Sequence, residues 1–414
     1  MGGAIEVLLP KAETISLDAL TQRVTALEAM ASRRPFDAEA LSFCEHLSAA
    51  IQANDEARHR PELEAFAFWI RHQAILRLQR HLGVVTPEGV VRVAKGLLFH
   101  LPPGNVAMLF AYCWILSLLA GNRNIVRLSV QRPDHIGLLL RLIDEAFDRT
   151  PGLRREQLFL AYGHDDTVTA TLSSVCDMRV LWGGDETVRR LRMIALAPLA
   201  SELAFGDRFS MAAFKADVVL ALSDDALADL AQHLFNDVFW FDQMGCSSPR
   251  LFLWVGCPEQ SATAGRRLYT SLAEVAGAKG YAIDAGTLSA KLSYCYRALL
   301  DWPVTALRVF GGRLAVLTLD RFFDLREDVF GAGTVFECCL SDLAALADMV
   351  RRKDQTLTHF GFVPEELSRL VERLGGRGFD RLVPVGQALA FDNVWDGYDL
   401  LSAFSRQVVL RCSD

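Results

Sequence analysis

Between residues 97 and 195 the chain alternates short apolar runs with stretches of helical periodicity, and this alternation most narrows its fold. The runs at 97–101, 124–128, 157–162 and 178–182 have the length and content of strands buried on both faces. Between them, 106–120, 134–148 and 165–175 carry apolar residues at helical spacing, and 186–195 follows the last run. Strands and helices of this length in alternation specify a parallel sheet covered by helices on both sides. Nucleotide pockets in such folds form beyond the carboxyl ends of the strands. The turns to watch are therefore Pro102-Pro103-Gly104-Asn105, Ser129-Val130-Gln131, Gly163-His164-Asp165 and Gly183-Gly184-Asp185. No GxGxxG occurs, so the common dinucleotide fingerprint is missing.

The sequence before and after this stretch reads differently. Residues 17–83 are helical in pattern, with Leu17, Leu20, Val24 and Leu27 at helical spacing and Phe66, Trp69 and Ile70 continuing later. A second αβ pattern starts near residue 226: a helical run into 234–241, a strand at 251–255, a helix at 259–277, and strands at 314–319 and 334–338. The expected organisation is a helical N-terminal region at 1–94, a cofactor-binding domain at 95–225 and a second domain at 226–385. A C-terminal segment at 386–414 either returns to the first domain or meets another subunit.

Composition narrows the function. A net charge of −7 argues against nucleic acid or an anionic membrane as a general partner. Nine scattered cysteines, with no CxxC pair and no zinc spacing, point to a reducing, cytoplasmic setting and to no metal. No export signal is visible, and the apolar run at 106–120 is shorter than the ~20 residues of a spanning helix, so it reads as a buried core helix.

The chemistry concentrates at Gln243-Met244-Gly245-Cys246-Ser247-Ser248, between the aromatic helical run and the strand at 251–255. A thiol on such a helix-to-strand loop is held in place, and backbone N–H groups there can point at a reacting oxygen. The residues alone leave two readings of Cys246, a nucleophile or a small buried hydrophobe.

Five motifs in order carry a resemblance: Pro102-Pro103-Gly104-Asn105-Val106, the segment 119–129 (LAGNRNIVRLS), Leu181-Trp182-Gly183-Gly184-Asp185-Glu186, Asp242 to Pro249, and 391–400 (FDNVWDGYDL). Together they resemble the acyl-CoA reductases of the bacterial luminescence type (LuxC-like fatty acid reductases), a branch of the aldehyde dehydrogenase superfamily. The resemblance runs over roughly 95–410 and implies an α/β, aldehyde-dehydrogenase-like fold. Its parts would be two parallel-sheet αβα domains, a helical N-terminal region and a small oligomerisation element. It implies that Cys246 takes an acyl group from a thioester and that a nicotinamide cofactor delivers hydride to release an aldehyde. It implies that Asn105 binds the oxyanion, a role suited to a neutral amide donor; a helix N-cap is the other use of that side chain, and the two are compatible.

The resemblance also assigns cofactor residues. Gly183, Gly184 and Asp185 match the turn that opens a helix toward the diphosphate, where glycines admit the phosphates and the helix start favours anions. Arg127 stands where relatives have a ribose-contacting lysine, and Pro103 and Gly163 belong to the neighbouring turns. Val130, followed by Gln131 and Arg132, stands where NAD-preferring relatives carry a glutamate, which favours NADPH. Asp328 stands for the glutamate that holds the nicotinamide ribose, with a shorter side chain. Ala204 replaces the glutamate that activates water in hydrolytic relatives, and Glu202 is the nearest carboxylate. An acyl-enzyme lacking that base would persist long enough to be reduced.

His164 and His359 read as structural or catalytic, and the run Arg351-Arg352-Lys353 as a solvated helix face or a docking site for CoA phosphates or an acidic carrier. The expected activity is NADPH-dependent reduction of an acyl-CoA or acyl-carrier-protein thioester. A partner acyl-transfer enzyme and a homo-oligomeric assembly are implied by the resemblance. CoA-acylating oxidation of a small aldehyde, non-redox acyl transfer through the same cysteine, and a non-enzymatic scaffold are the alternatives.

Overall fold

The computed structural model describes residues 4–84, 86–104 and 108–411. The chain divides into two compact units, one running to Gly206 and joined by the segment from Asn393, the other spanning Asp207–Asp392. The division falls before the expected residue 225, because the strand that follows Asp207 belongs inside the second sheet.

In the first unit the strands are β1 (Ile5–Leu9), β2 (Glu13–Ile15), β3 (Val90–Ala94), β4 (Leu97–Leu101), β5 (Arg123–Leu128), β6 (Gln157–Ala161), β7 (Met178–Trp182) and β8 (Ser201–Phe205). Seven of them form one sheet in the order β2-β1-β6-β5-β4-β7-β8. β6 to β8 across β4 are parallel, whereas β1 joins β6 and β2 joins β1 antiparallel. The N-terminal region is thus not wholly helical: Ile5, Val7 and Leu9 alternate inward and extend the sheet. Their period of two is too brief to stand out beside the long helical pattern that follows. That helical pattern itself is present, beginning with Leu17–Glu28, which Ser16 caps and which buries Leu20, Val24 and Leu27. β3 pairs with the C-terminal strand Ser405–Val409, so the C-terminal segment belongs to the first unit.

The helix expected at 106–120 spans Leu109–Leu119 and is buried on nearly every side. No helix among the described residues is long and apolar enough to cross a membrane.

The second unit holds β9 (Phe209–Lys215), β10 (Leu251–Val255), β11 (Val304–Phe310), β12 (Leu314–Leu319), β13 (Thr334–Leu340), β14 (Asp354–Phe360) and β15 (Arg381–Pro384). Their order is β11-β12-β13-β10-β9-β14-β15, parallel except for the edge pair β11–β12. Both faces are covered. Met211, Leu253 and Phe336 pack into one core layer, and Phe214, Trp254 and Val335 into the other. This two-sided burial is why the central strands are continuous apolar runs rather than alternating ones.

A buried ion pair pins the start of β14. Arg326 Nε donates to Asp354 Oδ1 at 2.7 Å and its Nη2 to Asp354 Oδ2 at 2.6 Å, with side-chain exposures of 3% and 0%. Removing Asp354 takes the bidentate partner from a buried arginine that keeps Asp324, so Asp354→Ala is expected to destabilise the second unit by about 1.5–3 kcal/mol. Denaturant unfolding of wild type and variant checks this; a loss below ~1 kcal/mol would mean that water or relaxation compensates the arginine.

Candidate active site

In the first unit β4 continues through β5 and β6 on one side and through β7 and β8 on the other. A parallel sheet leaves a crevice at such a reversal, outside the carboxyl ends of the strands. A cavity of ≈ 220 Å³ lies there, lined by Pro103 and Gly104 after β4, Arg127 of β5, Gly163 and His164 after β6, and Gly183 and Gly184 after β7. Five of the residues singled out in the sequence (Pro103, Arg127, Gly163, Gly183, Gly184) therefore meet in one cleft. Asn105 lies outside the described residues.

The glycines have local reasons. Gly184 caps the helix Asp185–Arg192, and a Cβ on Gly183 would stand 3.3 Å from Thr187 Cγ2. Strand end and first helical turn can approach closely only without that carbon. Asp185 is not among the cleft-lining residues. Its carboxylate is instead turned to the chain after β8, where a Cβ on Gly206 would lie 2.6 Å from Asp185 Oδ1.

The electrostatics of the cleft come from two guanidiniums. Arg127 Nη2 donates to the carbonyls of Tyr162 and Gly163 at 2.9 and 3.4 Å, while its buried Nε has no hydrogen-bond partner among the described residues. Burial pulls the Arg127 pKa below its ordinary value, and the charge of Arg190 pulls the same way against Tyr162. Arg190 lines the opposite wall, donating to Asp166 Oδ1 at 2.7 Å and lying 3.3 Å from His164 Nδ1. The sequence reading missed Arg190, because helical spacing alone does not say which of the charged residues after Gly184 faces the cleft. Arg132, expected near the cofactor, turns back to the Ser129 carbonyl at 2.7 Å and toward Glu6. Glu202 is held by Arg179 Nη2 at 2.5 Å and Arg192 Nε at 2.9 Å, which removes it as a water-activating base.

Cys246 belongs to the second unit, on the loop entering β10, and is half-buried and in no disulfide. The backbone leading to it is unusual. Phe241, Asp242 and Gln243 have φ of 53°, 52° and 64°, a left-handed region that side chains disfavour. Such residues cost of order 1–3 kcal/mol each and persist only where surrounding contacts over-determine them. Here the contacts are plain. Gln243 Nε2 donates to the Pro249 carbonyl at 2.9 Å, and Gln243 Oε1 accepts from Thr334 N at 3.0 Å. Ala332 N donates to the Asp242 carbonyl at 2.8 Å, and a Cβ on Gly331 would lie 2.5 Å from that oxygen.

Arg250 closes the loop from behind: Nη2 donates to the Gln243 carbonyl at 2.6 Å and Nη1 to that of Phe330 at 3.0 Å. Ser210 Oγ of β9 donates to the Cys246 carbonyl at 2.8 Å. From β14, Gln355 Nε2 lies 3.5 Å from Cys246 Sγ, and Gln355 Oε1 accepts from Ser247 Oγ at 2.8 Å. Ser210 and Gln355 carried no sequence signal, since each reaches Cys246 through strand order rather than through spacing.

The remaining candidates have other occupations. Asp328 is in the second unit, its carboxylate held by Arg297 Nη2 at 2.9 and 2.7 Å. Arg351, Arg352 and Lys353 pair with Asp324, Asp380 and Glu327 respectively, so the basic run is neutralised within its own unit. His359 lies further along β14, its pKa pushed below the ordinary value by burial.

Residues 88–276 match the family "Acyl-CoA reductase (LuxC)", a stretch that holds Cys246 and every cleft residue named above. No curated protein matches the chain significantly. Among solved structures, aldehyde dehydrogenase 21 of Physcomitrella patens, in complex with its product succinate, is 11% identical with a TM-score of 0.68, over 95% of this chain and 89% of that one. A Burkholderia cenocepacia protein assigned as an aldehyde dehydrogenase is 16% identical at TM-score 0.67, over 98% and 95%. Proline utilization A of Bradyrhizobium japonicum, also at 0.67 and 16%, is matched over 95% of this chain but 45% of its own length. The chain thus has the fold of the aldehyde dehydrogenases, and its residues 88–276 match the acyl-CoA reductase (LuxC) family model.

Proposed function

We propose that this protein is a cytoplasmic, NADPH-dependent reductase of acyl thioesters in which Cys246 carries the acyl group. The observation that carries the reading is the Cys246 thiol, presented on a strained loop that contacts from four segments hold in place. The Cys246 thiolate attacks the thioester carbonyl and forms a new C–S bond, while the carbonyl electrons move onto oxygen. In the resembled family the oxyanion is received by the amide of Asn105 and the backbone N–H of Cys246. Collapse expels the donor thiolate and leaves the acyl group on Cys246. With Ala204 in place of a base and Glu202 locked by two arginines, water is not activated against this intermediate.

The first unit's cleft fits a dinucleotide. Gly183 and Gly184 leave room for a diphosphate at a helix start, and the unpartnered Nε of Arg127 is a buried donor awaiting an acceptor. Bound there, NADPH would supply the hydride that converts the acyl group to an aldehyde, whose departure restores the thiol. The pair Arg127 and Arg190 supports NADPH over NADH, because two cations facing one cleft suit the additional 2′-phosphate. The donor in this reading is an acyl-CoA or an acyl-carrier protein, with a partner acyl-transfer enzyme and a homo-oligomeric assembly following from the family resemblance.

Intact-protein mass after mixing with a long-chain acyl-CoA tests the chemistry. An acyl adduct is expected on wild type and not on Cys246→Ala, discharged as aldehyde when NADPH is added. An adduct indifferent to NADPH would instead establish non-redox acyl transfer. Arg190→Ala is expected to weaken NADPH binding about tenfold while leaving NADH within about twofold; equal losses for both, measured by cofactor fluorescence titration, would remove Arg190 from phosphate recognition.

A further inference from the structure

A thiol attacks as its thiolate, so the groups that touch the Cys246 sulfur bear on its reactivity. Two side chains stand out, Gln355 and Arg250. Gln355, fully buried at the start of β14, accepts from Ser247 Oγ through Oε1 at 2.8 Å and presents its Nε2 donor to the sulfur at 3.5 Å. An N–H donor stabilises the ionised sulfur more than the neutral thiol.

The second observation is Arg250. It is 8% exposed, spends its donors on two carbonyls, and is in no ion pair with a carboxylate among the described residues. Burying a cation without a counter-ion is unfavourable, and the cost falls if an anion is close. Burial does pull the Arg250 pKa below its ordinary value, and Tyr294 and Cys246 are the groups that push it back up. Two carboxylates near the site are already engaged, Asp354 with Arg326 and Asp328 with Arg297.

We propose that Gln355 and Arg250 hold Cys246 as a thiolate, the amide N–H contacting the sulfur directly and the buried guanidinium supplying the counter-charge. Gln355 is then a catalytic residue, since it touches the reacting atom, and Arg250 both positions the loop and tunes the nucleophile. The proposal deepens the reading of Cys246 as nucleophile but does not rest on hydride transfer, so it is tested without acyl substrate or cofactor.

The experiment is the pH dependence of Cys246 alkylation by iodoacetamide in the full-length protein, followed peptide by peptide by mass spectrometry. In wild type the thiol is expected to titrate well below the ordinary value of about 8.5. Gln355→Leu removes the donor and is expected to slow alkylation at pH 7 about tenfold by moving the titration up about one unit. Gln355→Glu keeps an acceptor for Ser247 but sets a negative charge beside the sulfur, and is expected to move it further in the same direction. Arg250→Met is expected to raise it as well, with Arg250→Lys restoring part of the loss; should Arg250→Met not fold by circular dichroism, the two Gln355 variants decide. An ordinary thiol titration in wild type, or profiles unmoved in both Gln355 variants, would overturn the proposal whether or not the protein reduces thioesters.

Discussion

The buried guanidinium of Arg250 is the interaction on which the second unit's site depends. It ties the Gln243 carbonyl, on the strained approach to Cys246, to the Phe330 carbonyl, on the approach to β13. The three left-handed residues before it cannot hold their conformation by local preference. They are held because the Asp242 and Gln243 carbonyls and the Gln243 side chain have fixed partners in the segments entering β10 and β13, and Gly331 leaves space for the Asp242 oxygen. The loop is therefore a tertiary object. Its strain is balanced by hydrogen bonds that exist only after β9, β10, β13 and β14 have come together.

The first unit solves a different problem with the same economy of parts. A parallel sheet that reverses its strand order at β4 opens a crevice at its carboxyl ends, and glycine at the β7 turn lets a helix start close to it. The cleft acquires its character from charge: Arg127 is partly stripped of water, and Arg190 faces it from the helix after β7. The two guanidiniums disfavour each other, and Asp166 offsets part of that on the Arg190 side.

How far these features could be read beforehand depended on their range. Strands at 97–101, 178–182, 251–255 and 314–319 coincide with the observed elements, because two-sided burial leaves an uninterrupted apolar run. β9 and β14 were not read. Phe209–Lys215 opens against Gly206 and Asp207 and runs directly into a helix, while Asp354-Gln355-Thr356 is polar. That polar start is where the molecule invests its site, as Asp354 anchors Arg326 and Gln355 meets Cys246. Asp328 and Arg132 show the converse: a motif position was legible, but whether the side chain faces a ligand or a neighbouring arginine or carbonyl was not.

By itself the sequence determined the class of fold, the place of the nucleophile candidate and the glycine turns, because periodicity, turn chemistry and short motifs are local properties of a chain. Only the tertiary structure decided which charges face the cleft, that Glu202 is consumed by Arg179 and Arg192, and that an amide from β14 turns its N–H to the thiol. Those outcomes depend on strand order and register, which bring together residues more than a hundred positions apart. Side-chain direction and burial are fixed only once that packing exists, so no reading along the chain could supply them.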